Sequence, residues 1–288
     1  MAVGAPMVAC ILLYFTYWFR SETRGKAIGL LLLGASIASV VGNPLGGLLM
    51  EMDGFGGWHG WQRMFLIEGI PCVFLAFVIF RFLPDGPDRA SWLTAEEARL
   101  VKDAVSREQT EGAEAAGNTS GSLLTLLSDK QMLLAIFANW THQVALYSVV
   151  YFLPGIIGSW GDLSPFTIGL LTGLPWITAA VGAVLVPSRA TTPRRSRNFV
   201  VAGLLMMFTG LIVAAVAGPV VALLGFCFTG LAFVVQPLLF NFPATRLAGK
   251  TLAGGLALLN TIGITGGFVG PYIMGYTEDA TGNHLSGL

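Results

Sequence analysis

Long uncharged apolar runs alternate along the chain with short charged ones. Cutting at the charged stretches leaves eight apolar segments, at approximately 1–19, 27–50, 64–84, 131–153, 164–187, 198–217, 219–241 and 251–275. Runs of about 20 apolar residues match the hydrocarbon thickness of a bilayer when helical. Unpaired backbone groups are costly in lipid, so each segment is expected to be a helix. The abundant Gly and Ala then mark close helix contacts. No segment alternates polar and apolar residues, which excludes a membrane β-barrel. The pattern predicts an all-α, polytopic membrane helix bundle with about eight spans.

Composition sharpens this. Of 288 residues 54% are hydrophobic and 11% charged, against roughly 25% charged in a soluble domain, so a soluble globule is excluded. The formal net charge is zero, and nothing suggests a nucleic-acid partner. Sidedness carries more information than the sum. Of the 16 basic residues, all but Arg63 fall on alternate loops: Arg20, Arg24 and Lys26 after the first span; Arg81 to Lys130 after the third; Arg189 to Arg197 after the fifth; Arg246 and Lys250 after the seventh. The positive-inside rule makes these loops cytoplasmic. Arg24 and Lys26 read as topology charges. Trp58, Trp61 and Trp160 flank the opposite face, where an aromatic belt is expected. Cys10, Cys72 and Cys227 lie in or beside apolar runs at spacings that fit neither a zinc site nor a disulfide framework. Met1 runs into an apolar stretch without a basic n-region, so no cleavable signal peptide is expected.

The longest polar segment, 85–130, reads as a cytoplasmic loop joining two membrane bundles. Within it Thr94 and Glu97 form a capping-box pattern at a helix start. The Asn118-Thr119-Ser120 sequon lies on this side and carries no glycosylation meaning. The second and eighth spans resemble each other: each follows a Gly-Lys pair (Gly25-Lys26, Gly249-Lys250) and ends in a Gly- and Pro-rich half, as parallel repeats do. Gly42-x-x-x-Gly46 and Gly266-x-x-x-Gly270 each clear one helix face for a neighbour. Such faces serve static packing, or surfaces at which two bundles rock, with Pro44 and Pro271 softening the helices.

Several stretches together resemble a known family. They are Tyr14 to Phe19 followed by Arg20 to Lys26, Trp61 to Gly69, Tyr151-Phe152-Leu153-Pro154, and Gly266 to Pro271 with Asp279-Ala280-Thr281-Gly282. They are similar to the anion:cation symporter branch of the major facilitator superfamily, which carries tartrate, phthalate, sugar acids and aromatic carboxylates. The resemblance implies a twelve-helix fold in two bundles, of which the eight spans match helices 4 to 11. It divides the chain into 1–84, part of the N-terminal bundle; 85–130, the central cytoplasmic loop; and 131–288, the C-terminal bundle. It also implies that three helices precede Met1 and one follows Leu288, so that the sequence is a fragment or Met1 an internal start. The family's substrate-contacting Arg on helix 1 then lies outside this chain. Two departures stand out: no acid occurs in Gly4 to Val8, and none in the Ser188 to Arg195 loop.

Polar residues inside the spans are the candidate site. Among acids only Glu68 falls within a predicted span; it is a candidate for proton coupling, or a structural partner of Arg63 or of backbone amides. The fourth span carries Asn139, Gln143, Tyr147 and Tyr151 at i, i+4 spacing, a stripe that lines a cavity or bonds a neighbouring helix. His142 is the one span histidine and a second proton-coupling candidate. The family resemblance implies that Asn260 contacts substrate; Gln236 and Asn241 are further candidates. No paired metal ligands, nucleophile elbow or phosphate loop occurs, so no enzyme, cofactor or metal is expected.

The expected function is secondary active transport by alternating access, the proton-coupled import of a small organic anion across a bacterial plasma membrane. The alternatives are a non-transporting membrane fragment and a major facilitator carrier for a different substrate class.

Overall fold

A computed structural model describes residues 11, 14–15, 17–19, 21–115, 126–190, 192–244, 249–282 and 287. Apart from short 3-10 turns, the regular structure among them is α-helical, with no strand. Among the described residues nine helices follow in chain order: α1 (Ser21–Glu51), α2 (Gly60–Phe82), α3 (Ala95–Ala115), α4 (Lys130–Gly158), α5 (Pro165–Arg189), α6 (Pro193–Val216), α7 (Pro219–Leu231), α8 (Val235–Ala244) and α9 (Gly249–Thr281). Among the described residues seven stretches are long and apolar enough to cross a membrane; α7 and α8 count as one, joined through the Ala232–Val234 turn. These match the second to eighth predicted spans. The first, 1–19, lies largely outside the described residues. The protein is an integral membrane protein.

Local chemistry explains where the helices begin. Ser164-Pro165, Thr192-Pro193 and Gly218-Pro219 each place a cap residue before a proline at the first helical position, where the missing N–H costs nothing. Asp129 caps α4, accepting from the Gln131 N–H at 2.9 Å. The predicted capping box forms at α3: Thr94 N–H donates to Glu97 Oε2 at 2.9 Å, and Glu97 N–H donates back to Thr94 Oγ1 at 3.3 Å. These bonds hold the Glu97 carboxyl below the usual carboxylate range. Several helices run past their apolar windows, α9 as far as Glu278 and Asp279, because a helix end in water tolerates polar residues that lipid does not.

Packing is uneven. A buried cluster of Val149, Leu153, Ile156, Ile157, Ala214, Ala222, Phe226 and Met274 joins α4, α6, α7 and α9. A smaller one, Met132, Ala135, Ile136 and Leu259, continues the α4–α9 contact. Within 1–84 the reverse holds: α2 buries only Gly60 and exposes Phe65, Phe74, Phe77 and Phe80. An apolar face of that size belongs against lipid or further helices. The most extensive contact of α1 is made with α5, far along the chain. In the 85–130 segment Trp92 stacks on Trp18 with ring centroids 5.8 Å apart, and Lys102 pairs with Asp88 at 2.6 Å.

Between α1 and α2 the chain reverses over Gly54, Gly56 and Gly57, all at positive φ, which side-chain-bearing residues rarely adopt. Asp53 Oδ1 closes the turn, accepting from the Gly60 N–H at 2.7 Å and lying 3.5 Å from His59 Nδ1. The Gly60 bond, then the neighbouring His59 and Arg63, hold the Asp53 carboxyl below its ordinary value. A depressed carboxyl contributes stability above its unfolded value and loses it as pH falls through the folded one. The turn is therefore expected to loosen as pH drops below about 3.8. Asp53→Asn is expected to reproduce that loosening at neutral pH, read as faster amide exchange of the Gly60 peptide; unchanged exchange would show the carboxylate to be dispensable.

Candidate functional site

Two helix pairs approach closely, and glycine makes both contacts possible. The first is α4 against α9. A Cβ at Gly266 would lie 3.1 Å from the Val144 nitrogen, and one at Gly270 would lie 2.6 Å from Ser148 Oγ. The Gly266-x-x-x-Gly270 face thus packs one helix of the C-terminal segment on another, as its spacing predicts. Asn139 enters this contact. Its Nδ2 donates to the Leu259 carbonyl at 2.9 Å, and its Cγ fills the space at Gly263, 2.9 Å from where a Cβ would sit. Trp140 Nε1 donates to Thr265 Oγ1 at 3.2 Å.

The second pair is α1 against α5. A Cβ at Gly47 would lie 2.9 Å from Phe166 Cα, and one at Gly169 would lie 2.9 Å from the Asn43 carbonyl carbon and 3.1 Å from Pro44 Cα. Here the expected motif needs correction. Gly42 meets nothing within 4 Å, and Gly46 faces Met64 and Glu68 of α2, so Gly47, not Gly42, makes the approach to α5. The reason is angular: on a 3.6-residue helix the Asn43–Gly47 row, one position on, faces α5. At the same end, Glu51 Oε1 accepts from the Phe166 N–H at 3.0 Å with the Ser164 hydroxyl beside it. Glu51 is missing from the sequence reading, whose span ends at residue 50. A signal was available: an acid at a helix C-terminus is disfavoured by its own helix dipole and is better placed at another helix's N-terminus.

The predicted polar stripe does not form one uniform wall. Asn139 and Gln143 are buried, Tyr147 is half-buried and Tyr151 is 53% exposed. Four residues at 100° each overshoot a full turn by about 40°, so an i, i+4 row winds around its helix. Tyr147 packs on Gly267, with Cδ2 2.6 Å from a Cβ position there, and stacks on Tyr151 at 6.0 Å between centroids. His142 is fully buried, with neither ring nitrogen hydrogen-bonded. Asn260 on α9 is half-buried, next to the Leu259 carbonyl that Asn139 engages. Gln236 on α8 is half-buried too, just past the 3-10 break. The side chain of Asn241 lies outside the described residues. Glu68 is exposed on α2, its Oε1 3.6 Å from a Cβ position at Gly46. Arg63 lies over the Phe55 ring, 5.0 Å from its centroid. Among the described residues no group of three or more His, Cys, Asp and Glu is placed to hold a metal ion.

Known proteins place this architecture. The chain is 34% identical over 280 residues to a putative tartrate transporter of Agrobacterium vitis, covering 96% of this chain and 61% of that protein. It is 32% identical over 290 residues to a quinolone resistance transporter of Acinetobacter baumannii, covering 96% and 64%. It is 32% identical over 280 residues to the Escherichia coli inner membrane transport protein RhmT, again covering 96% and 64%. The chain thus spans less than two thirds of the length of these relatives. Its fold is similar to that of the E. coli fucose:proton symporter FucP, with a TM-score of 0.50 at 15% identity over 95% of this chain and 84% of that one. The family model of the Major Facilitator Superfamily matches residues 1–271. Helices, glycine contacts and relatives converge: the chain belongs to the major facilitator superfamily.

Proposed function

We propose that this chain is the larger part of a secondary active transporter that imports a small organic anion together with a proton or other coupling cation, by alternating access. The observation that carries the reading is the match to proteins named as tartrate transporters along 96% of the chain. The α1–α5 contact supports it, because a glycine seam held by one carboxylate joins segments 1–84 and 131–288, which in this reading belong to the two bundles that rock. The 85–130 segment is their cytoplasmic connector, on the strength of the charge asymmetry, and a bacterial plasma membrane fits the bacterial relatives.

In this reading Asn260, Gln143, Tyr147, Tyr151 and Gln236 supply amide and hydroxyl donors to substrate, Asn139, buried and bonded to the Leu259 carbonyl, holds α4 on α9 beside them, and His142 and Glu68 are the groups available for a proton. Neutral donors orient a carboxylate but do not neutralise it, so a cationic partner is required. A second reading, a carrier for a different substrate class, is favoured by the similarity to the quinolone resistance transporter.

The test is uptake of radiolabelled tartrate, sugar acids, phthalate, hydroxyphenylacetate and nicotinate into cells expressing the full reading frame, with and without a protonophore. Protonophore-sensitive accumulation of one acid is expected. No accumulation of any acid, with the protein confirmed in the membrane, would sink the anion reading, and energy-dependent exclusion of a quinolone would establish the second.

A further inference from the structure

The charges of the C-terminal segment are divided between its two faces. Residues 131–288 contain three acids, Asp162, Glu278 and Asp279; the first lies in the α4–α5 turn and the others at the end of α9. Alternation of the spans puts all three on the outer side. The cytoplasmic side carries Arg189, Arg194, Arg195, Arg197, Arg246 and Lys250, with no acid of this segment among them. Elsewhere on that face acids have local partners: Asp85 pairs with Arg89 and Asp88 with Lys102, and Asp129 caps α4. Acids contribute little to the orientation of a membrane chain, so topology alone does not call for their absence.

Four of these arginines are gathered at one turn. Arg189 ends α5, and Arg194, Arg195 and Arg197 lie at the start of α6. All four are exposed, and among the described residues no acid pairs with them. The start of a helix is the place where its dipole least favours cations. Local bonds fix the turn all the same. Thr192 Oγ1 accepts from the Arg195 N–H at 3.3 Å, the Ser196 hydroxyl donates to the Ala190 carbonyl at 3.1 Å, and Arg189 Nη1 donates to the Leu185 carbonyl at 3.4 Å. The guanidiniums are thus kept within one turn of chain against their mutual repulsion and the helix dipole. A local rule broken without compensation inside the protein points to a functional position.

The apolar surface beside the turn shows what can compensate it. On α6, Arg194, Asn198, Val201, Leu205, Phe208 and Ile212 recur at steps of three and four residues, which is one helix face. Its four apolar members are exposed. On α5 the exposed Val181 and Leu185 lead to Arg189 at steps of four. Helices α5 and α6 both pack on α7 and scarcely on each other, so each keeps its stripe uncovered from the turn into the membrane. A face that is apolar along the hydrocarbon and cationic at its cytoplasmic end complements a phospholipid whose headgroup carries net negative charge.

We propose that the α5–α6 turn binds an anionic phospholipid of the inner leaflet, with the phosphate held by Arg189, Arg194 and Arg197 and an acyl chain lying along the Val201, Leu205 and Phe208 stripe of α6. Guanidinium forks match the geometry of a phosphate and stay charged at every physiological pH. A phosphate at this point also faces the start of α6, so one ligand relieves both the repulsion among the arginines and their conflict with the dipole. Basic sites on the cytoplasmic side of membrane helices take such headgroups. The proposal rests on the cytoplasmic placement of this turn and is independent of the transported substrate.

The test is lipid binding to the full-length protein, delipidated in a mild detergent and titrated with phosphatidylglycerol or phosphatidylethanolamine, the complexes being counted by native mass spectrometry. Phosphatidylglycerol is expected to bind at least about tenfold more tightly. Arg194→Gln combined with Arg197→Gln is expected to weaken it by about fivefold for each charge lost, whereas Arg194→Lys with Arg197→Lys keeps most of the preference. Arg89→Gln, at an arginine already paired with Asp85, should bind like the parent. Equal binding of the two lipids overturns the proposal, and is the outcome expected if an acid elsewhere in the protein neutralises the arginines. A glutamine pair that binds like the parent overturns it too. Displacement of the lipid by millimolar inorganic phosphate replaces it with a free-anion site. If the glutamine pair does not reach the membrane, the unaltered protein decides. In phosphatidylethanolamine nanodiscs, phosphatidylglycerol with a photoreactive acyl chain should label residues 201–208 in preference to the exposed face of α2, and even labelling of the two overturns the proposal.

Discussion

Gly169→Ala is expected to force α1 and α5 apart and to leave the protein largely unable to adopt the conformation described here. The methyl group would fall 2.9 Å from the Asn43 carbonyl carbon and 3.1 Å from Pro44 Cα. Both are backbone atoms, which cannot rotate away as a side-chain tip does. Overpacking of this kind costs about 1–3 kcal/mol, and if only one conformation of the cycle contains the contact, that cost shifts the population by about 5–150-fold. The readout is thiol labelling at a cysteine placed on the seam, at the half-buried Asn43 whose carbonyl meets Gly169, together with uptake. Labelling should rise and uptake fall while the amount in the membrane stays level. Gly42→Ala is the control, since nothing lies within 4 Å of its Cβ position; a loss of uptake equal to that of Gly169→Ala would refute the steric explanation. Glu51→Gln should act in the same direction and less strongly, because a neutral amide still accepts from the Phe166 N–H at the helix end.

The second large effect is expected at Gly270, and of a different kind. A methyl group there would meet Ser148 Oγ at 2.6 Å and the Val144 backbone at 3.1 Å. The α4–α9 contact joins two helices of one segment and surrounds the buried Asn139–Leu259 hydrogen bond. Parting it destabilises every conformation that keeps this bundle intact. Gly270→Ala should therefore lower the thermal midpoint of the purified protein, by about 2–4 °C for each of the roughly 1–3 kcal/mol lost. Gly155→Ala on α4, with open space around its Cβ position, should not. If Gly270→Ala melted like the parent and failed only in transport, α4 and α9 would have to move against each other, and the assignment of this contact to static packing would be wrong.

Seen from these contacts, the division between what could be read ahead and what could not is physical. The second to eighth spans, helix type and the α3 cap were legible, because they depend on the local exchange between chain and solvent: apolar length against bilayer thickness, and a hydroxyl and a carboxylate three residues apart. The resemblance to the family was legible for the same reason, since its stretches are local. The choice of glycines was not. Gly42-x-x-x-Gly46 and Gly266-x-x-x-Gly270 have the same spacing, yet only the second pair faces a close neighbour at both positions. Spacing clears a face but does not say which helix arrives there.

The same limit holds at the candidate site. The sequence placed Asn139, His142 and Gln143 within one turn of a membrane helix, and that follows from helical geometry alone. The partner of Asn139 comes from much later in the chain, at the Leu259 carbonyl, and the burial of His142 and Gln143 comes from the helices docked around α4. Hydrophobic length and periodicity are sums over neighbours in the chain, and one sequence suffices to read them. Which backbone carbonyl meets which side-chain amide is a property of pairs brought together by packing, and it exists only once the helices have docked.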